Sequence, residues 1–230
     1  MGILKYFLFP IHKEGVQYIV IAAAVSLLIS LFFGGFLIFG LLLTLAVALF
    51  FRNPVRVTPR GADYIVSPAD GIVTYVGPAQ LPKEIENPTG EYTRISIFLS
   101  VLDVHVNRVP AGGTIKQLHY NPGKFLSATL EKASDDNERQ TVLMESLSGK
   151  PIAFVQIAGL IARRIICDLK MGDSVEAGER FGIIRFGSRM DVYFPEGVAP
   201  QVIVGQRMIG GETILANLAE TGLGREGTVH

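Results

Sequence analysis

The sequence predicts a mainly β domain carried behind an N-terminal helical hairpin that belongs in or against a membrane. Three observations carry that expectation. Residues 15–51 form a stretch of 37 with no Asp, Glu, Lys, Arg or His, and 29 of them are apolar. All 21 basic and 21 acidic side chains of the 230-residue chain lie outside it, so the remainder has the charge density of an ordinary water-soluble domain. That remainder is a succession of short runs rich in Val, Ile and Phe, bounded by Gly, Pro, Asp or Asn and often about ten residues apart, as in β-barrels and β-sandwiches.

The apolar stretch exceeds the roughly 7–15-residue core of a secretory signal. As one helix it would extend about 55 Å at about 1.5 Å per residue, against a hydrocarbon core of about 30 Å. Gly34-Gly35 near its middle is the natural turn, which predicts two helices over 16–33 and 36–51. Each arm is short for a full crossing, so the hairpin is either transmembrane or re-entrant. Lys5, His12 and Lys13 precede it and Arg52, Arg56 and Arg60 follow it. Basic residues on both flanks predict that both ends face the cytoplasm, placing the rest of the chain on the cytoplasmic side of the cell membrane. Residues 1–51 are thus read as the hairpin, 52–61, with two prolines and a glycine, as a linker, and 62–230 as the β domain.

Strands are predicted over 64–66, 72–76, 94–99, 141–146, 152–157, 164–169, 181–185, 192–194 and 201–204, with polar loops at 83–90 and 132–138. One internal repeat stands out. Gly172-Asp173-Ser174-Val175-Glu176-Ala177-Gly178-Glu179 is echoed by Gly205-Gln206-Arg207-Met208-Ile209-Gly210-Gly211-Glu212, each copy ahead of an apolar run. With the turn-to-strand element Ser67-Pro68-Ala69-Asp70-Gly71-Ile72-Val73, this resembles the barrel-sandwich hybrid of lipoyl and biotinyl domains.

Several function classes are excluded. A net charge of zero lacks the basic excess of a nucleic-acid binder. The single Cys167 forms no internal disulfide and reads as a reduced core residue, and there is no Cys/His cluster for a structural metal. Neither G-x-S-x-G, Walker A nor H-E-x-x-H occurs. Lys170 directly precedes a Gly-Asp turn, whereas a swinging-arm lysine sits at the tip of a separate hairpin. Of the four histidines, His12 precedes the hairpin and His230 ends the chain, leaving His105 and His119 for proton transfer near neutral pH.

The segment Arg185-Phe186-Gly187-Ser188-Arg189-Met190-Asp191 resembles the self-cleavage site of phosphatidylserine decarboxylase proenzymes, in particular the short prokaryotic branch. Further segments in the same order extend the resemblance over most of the β domain: Ser67-Pro68-Ala69-Asp70-Gly71, Asp103-Val104-His105-Val106-Asn107-Arg108-Val109-Pro110, Asn121-Pro122-Gly123-Lys124-Phe125 and Gly159-Leu160-Ile161-Ala162-Arg163-Arg164-Ile165. The hydrophobic N-terminus also resembles the family's membrane attachment.

The resemblance implies that Ser188 attacks the carbonyl of Gly187 and that the chain separates into a β chain, 1–187, and an α chain, 188–230, the latter beginning with a pyruvoyl group derived from Ser188. That group would form a Schiff base with phosphatidylserine, and loss of CO2 would yield phosphatidylethanolamine. The two chains would remain together as a heterodimer, with a dimer of heterodimers as an option. His105 is the first choice for the base of self-cleavage, His119 the second, and Asp70 would orient the histidine. Lys124, Arg163, Arg164 and His119 would bind the lipid phosphate or carboxylate. One departure stands against this: the family's long branch carries a second histidine in H-x-x-H-x-P, where this chain has Arg108. Two other readings remain at this level, a non-enzymatic membrane-anchored adaptor or carrier module and a pyruvoyl decarboxylase of a soluble amino acid. The lipid's ester or ether linkage is open.

Overall fold

A computed structural model describes residues 9–86, 90–123, 137–159, 164–185 and 188–228. The apolar stretch folds as two helices, α1 (Lys13–Phe32) and α2 (Phe36–Phe50). α1 begins three residues before the expected start at 16, because the His12 imidazole accepts the Glu14 N–H at 3.3 Å and caps a first turn that includes two charged residues. The helices meet at small residues, with Ser26 Oγ donating to Gly40 O at 3.2 Å. α1, about 30 Å of helix, is long and apolar enough to cross a membrane; α2, about 22 Å, is shorter. Leu31, Phe32, Phe33 and Ile38 are all more than two-thirds exposed, a contiguous apolar surface that water does not favour.

Residues 52–61 form no helix or strand, but they are strapped to the β domain. Arg56 pairs with Asp70 at 2.7 Å, the Val57 N–H donates to Glu212 Oε1 at 2.9 Å, and the Arg108 guanidinium reaches Pro54 O at 2.8 Å.

The β domain holds β1 (Tyr64–Val66), β2 (Gly71–Ala79), β3 (Tyr92–Leu99), β4 (Val106–Arg108), β5 (Gly113–Asn121), β6 (Arg139–Ser146), β7 (Pro151–Ala158), β8 (Ile165–Cys167), β9 (Ser174–Val175), β10 (Arg180–Ile184), β11 (Ser188–Pro195), β12 (Val198–Pro200), β13 (Arg207–Met208) and β14 (Ile214–Thr221). It is mainly β, as expected. Among the described residues an eight-stranded sheet runs β13-β2-β3-β11-β7-β6-β5-β9, and two three-stranded sheets run β1-β14-β12 and β4-β10-β8. The core between them is dry: Ile65, Ile97, Val142, Phe154, Phe181, Ile184, Met190, Val192 and Leu215 are buried, and Phe154 meets Phe181 edge to face at 5.1 Å. Residues 201–204, expected as a strand, are instead a connection: Gln201 N–H bonds Leu215 O and the chain then turns at Gly205. Strands β4, β5, β9, β12, β13 and β14 were not expected.

The glycine repeat proves to be one part of a duplication of the whole domain. β9 and β13 form the two outer edges of the long sheet, and Gly178 and Gly211 turn with φ of +78° and +79°, a conformation that favours glycine. The two small sheets have matching orders, and a register shift recurs in β2/β3 and in β5/β6. One half is β1–β3 with β11–β14; the other, β4–β10, is inserted between β3 and β11. In the inserted half β6 turns tightly into β7, the Ser146 N–H donating to Lys150 O at 2.9 Å. In the outer half the corresponding strands pair Leu99 with Ser188, but the chain between those residues passes through the entire inserted half. Ser188 therefore opens β11 where a hairpin turn would otherwise close.

On the outer face of the long sheet, Glu84 ties the β2–β3 connection down. It takes Arg139 Nε at 2.8 Å, Asn121 Nδ2 at 3.0 Å and Thr141 Oγ1 at 2.6 Å. Burial pushes its carboxyl up, but the Arg139 and Thr141 hydrogen bonds outweigh this and hold it down at about 2. A carboxyl depressed on folding adds stability above its unfolded range that is lost as pH falls toward the folded value. Glu84→Gln is expected to lower stability by about 2 kcal/mol at pH 7. The difference from wild type should shrink as pH falls from about 4 toward 2. Denaturant titration in detergent at both ends of that range checks it.

Candidate active site

Two connections cross between the halves of the duplication, one over residues 99–106 and the other between Ile184 and Ser188, and their described ends lie against each other. At one end Leu99 pairs with Ser188; at the other the Ile184 N–H reaches His105 O at 3.4 Å. The first is a built turn: Asp103 Oδ2 takes the Ser100 N–H at 2.8 Å and the Ser100 hydroxyl at 2.7 Å, while its Oδ1 pairs with Arg207. Asp103 is buried.

The turn delivers His105 into the interior, with no exposed surface. Its Nδ1 lies 3.0 Å from Asp103 O, a carbonyl that only accepts, so Nδ1 carries the proton and Nε2 carries the lone pair. Nε2 is buried and has no hydrogen-bond partner among the described residues. Burial lowers the imidazole's pKa to about 4, so it is neutral at physiological pH. The Phe50 ring at the foot of α2 lies against it, centroids 4.2 Å apart. A neutral imidazole whose lone pair is shielded from solvent is equipped to take a proton.

Ser188 is also fully buried, and its Oγ has no partner among the described residues. On the same face of the sheet, two residues along β7 from its cross-strand neighbour Ala158, stands Gln156. Such diagonal neighbours lie about 7–8 Å apart, within reach of a long side chain. Gln156 Nε2 donates to Asn107 Oδ1 at 2.9 Å and to Ile166 O at 3.2 Å. Both partners accept, which fixes the amide orientation and leaves Gln156 Oε1 and Asn107 Nδ2 buried and unpaired. A hydroxyl, an imidazole nitrogen, an amide oxygen and an amide N–H are thus all desolvated without partners. Each costs free energy unless something else meets it.

The other residues singled out from sequence are distributed differently. Asp70 does not touch His105: its Oδ2 pairs with Arg56 and its Oδ1 takes the Gly210 N–H at 2.8 Å. Burial raises its carboxyl above the ordinary range despite those partners. Both oxygens are engaged, so in this geometry the residue braces the strap at 52–61 rather than a histidine. His119 lies on the opposite face of the long sheet from Ser188. It pairs with Thr141, which pairs with Val155, and Val155 faces Asp191, an odd number of residues from Ser188. Its Nε2 meets Gln117 Oε1 at 3.3 Å. Arg164 has an exposed side chain, and its carbonyl takes the Arg185 N–H at 3.3 Å. Arg108, where the long branch has histidine, points away into Gly178 O and Pro54 O. Cys167 is free and half-buried, and burial pushes its thiol up to about 11. Gly187, Lys124 and Arg163 lie outside the described residues.

Sequence reasoning missed Phe50, Gln156 and the role of Asn107. Asn107 lies in a segment already singled out, two residues beyond His105. Gln156 carried a signal as well, as the one polar residue facing the core within the apolar run 152–158. Phe50 looked like any other residue of the apolar stretch.

Buried polar side chains without partners among the described residues, on a β scaffold packed against an apolar helical hairpin, are the features of a candidate enzyme site. The family model described as phosphatidylserine decarboxylase matches residues 43–216. The chain is 51% identical over 227 residues to the phosphatidylserine decarboxylase proenzyme of Cereibacter sphaeroides, covering 99% of this chain and 98% of that one. It is 51% identical over 229 residues to that of Paramagnetospirillum magneticum, covering 100% and 95%. To that of Rickettsia bellii it is 54% identical over 207 residues, covering 90% of each. The chain belongs to the phosphatidylserine decarboxylase family.

Proposed function

We propose that this chain is a proenzyme that cuts itself between Gly187 and Ser188 and then decarboxylates phosphatidylserine to phosphatidylethanolamine. The observation that carries the reading is the Ser188 hydroxyl, desolvated and unpaired among the described residues at the start of β11, which pairs with Leu99 at the head of the connection bearing neutral His105. A serine hydroxyl is a weak nucleophile and needs a base. Family membership supports the same reading.

In the first step His105 Nε2 takes the Ser188 Oγ proton and Oγ bonds to the Gly187 carbonyl carbon. The peptide C–N bond breaks, the proton passes to the freed nitrogen, and an ester joins the two parts. Loss of the Cα proton of residue 188 with cleavage of its Cβ–O bond releases residues 1–187 with a new carboxylate. Water then displaces ammonia and leaves a pyruvoyl group at position 188. That group supplies an electron sink for the carbon that loses CO2.

The surroundings fit such a group. The atom that becomes its ketone carbon belongs to a residue already shielded from water, beside polar atoms without partners. His105 holds a lone pair ready to take and return a proton at the substrate's α-carbon. Asn107 Nδ2 donates to the substrate carboxylate, and Gln156 Oε1 accepts from its amine. Phe50 excludes water from that side. Arg164, with Lys124 and Arg163, takes the lipid phosphate. The hairpin holds the site at the cytoplasmic surface of the cell membrane, and the two chains stay together as a heterodimer.

The test is reconstitution of the full chain in vesicles containing phosphatidylserine, with headgroup conversion and chain pattern followed together. Two chains and ethanolamine product support the reading; an uncut chain without conversion sinks it. In the same assay Gln156→Met, which keeps the side chain's length and removes the Oε1 acceptor, is expected to be processed to two chains with KM raised about tenfold, the loss of one good hydrogen bond. An unchanged KM would make the amide pair a packing feature.

A further inference from the structure

Arg185 lies three residues ahead of Ser188, and its guanidinium is held by the membrane hairpin rather than by the β domain. Its Nη2 meets Glu14 Oε2 at 2.6 Å and its Nη1 donates to the Tyr18 hydroxyl oxygen at 2.5 Å. The guanidinium carbon also sits 5.2 Å from the centre of the Tyr18 ring. Both acceptors belong to the first turns of α1 and lie one helical turn apart, on the face that meets the β domain. Tyr18 stacks in turn on Phe51, with ring centroids 5.4 Å apart and planes within 4°. Phe51 is wholly buried, and Phe50 beside it covers His105. The hairpin's base is locked in place by the His12 N–H on Phe51 O and the Asn53 N–H on Pro10 O.

The hairpin therefore grips the site from two sides. Through Phe50 it covers the base, and through Glu14 and Tyr18 it holds the chain leading into the scissile peptide. The ion pair is largely withdrawn from water, Arg185 being 10% and Glu14 26% exposed at the side chain. A pair so placed is worth keeping only where its geometry matters, because desolvation cancels much of its attraction.

We propose that Glu14 and Tyr18 are positioning residues for self-cleavage, clamping Arg185 so that the Gly187-Ser188 peptide is presented to His105. A membrane anchor alone would need neither contact. The clamp makes the hairpin a working part of the processing site, so that cutting waits until the hairpin has folded against the β domain. This rests on the reading that the chain is cut between Gly187 and Ser188, and wild-type processing in the same experiment tests that reading separately.

The experiment is synthesis of the full chain in the presence of lipid vesicles, following uncut and cut chains with time on denaturing gels. Glu14→Arg and Arg185→Glu alone are expected to slow cutting by about 10- to 100-fold, the effect of a small displacement of reacting atoms. The double variant Glu14→Arg with Arg185→Glu restores the pair and should recover most of the wild-type rate. Tyr18→Phe, which keeps the ring and loses the hydroxyl, should fall between wild type and the charge reversals. Rescue by the double variant excludes general misfolding as the cause of the single defects. Single variants that cut at the wild-type rate, or a double variant as slow as its parents, would overturn the clamp. A wild-type chain that is never cut would instead overturn the reading on which it rests.

Discussion

Ser188→Ala is expected to yield a single uncut chain with no decarboxylase activity. The substitution removes one oxygen from a fully buried site where that oxygen has no hydrogen-bond partner. Removing an unpaired buried hydroxyl costs the fold nothing and relieves a desolvated group. Stability should therefore stay at or slightly above that of the wild type, while the nucleophile and the source of the pyruvoyl group vanish together. That combination, an intact and well-folded chain with no turnover, separates a chemical role for Ser188 from a structural one. Gel mobility, thermal unfolding and product formation on one preparation suffice to read it.

His105→Ala has the second-largest expected effect. The imidazole Nε2 is buried and without a partner among the described residues, and general-base catalysis contributes about 10²–10⁴-fold. Processing should slow by at least the lower of these factors. Removing the ring also opens a space beneath Phe50, so a stability loss is expected alongside. The pH profile distinguishes the chemistry from the packing. The histidine's pKa is pushed down to about 4 by burial, so its base form persists well below neutrality. Wild-type processing should be flat from pH 8 to about 5 and fall only as pH approaches about 4. An acid limb near the ordinary histidine value of about 6.5 would mean that another histidine or a solvated state of this one serves as base. Because His119 lies across the sheet from Ser188, His119→Ala is expected to leave the processing rate unchanged.

Much of the fold was legible because alternation and punctuation agree. β2, β3 and β7 announce themselves by Val, Ile and Phe between glycines and prolines, and the glycine repeat marks the duplication. β14 did not announce itself. Ile214-Leu215-Ala216-Asn217-Leu218-Ala219 has the composition of a helix, and it is a strand because β1 and β12 pair with it on both sides. Local preference is a weak prior that such pairing overrides. β5 carries Lys116, Gln117 and His119 because half of it faces outward, which hides its period.

The candidate site divides in the same way. Ser188 and His105 stand in ordered motifs and could be named from the chain alone. The partners that decide their chemistry are remote: Asn107 and Gln156 are 49 residues apart, Arg56 takes Asp70 from the strap, and Glu14 reaches Arg185 across 171 positions. No local pattern encodes such contacts. Asp70 illustrates the cost of that gap. The resemblance would have Asp70 orient a histidine, and only the folded chain reveals both of its oxygens committed to Arg56 and Gly210.

The central claim is that this protein makes its own catalytic group by cutting itself at one peptide bond. The direct measurement is the intact mass of the purified wild-type protein, before and after reduction with borohydride. The account predicts two species, residues 1–187 with a free carboxylate and residues 188–230 with a blocked N-terminus that gains two hydrogens on reduction. A single chain of 25.0 kDa that decarboxylates phosphatidylserine and is unchanged by borohydride would contradict it.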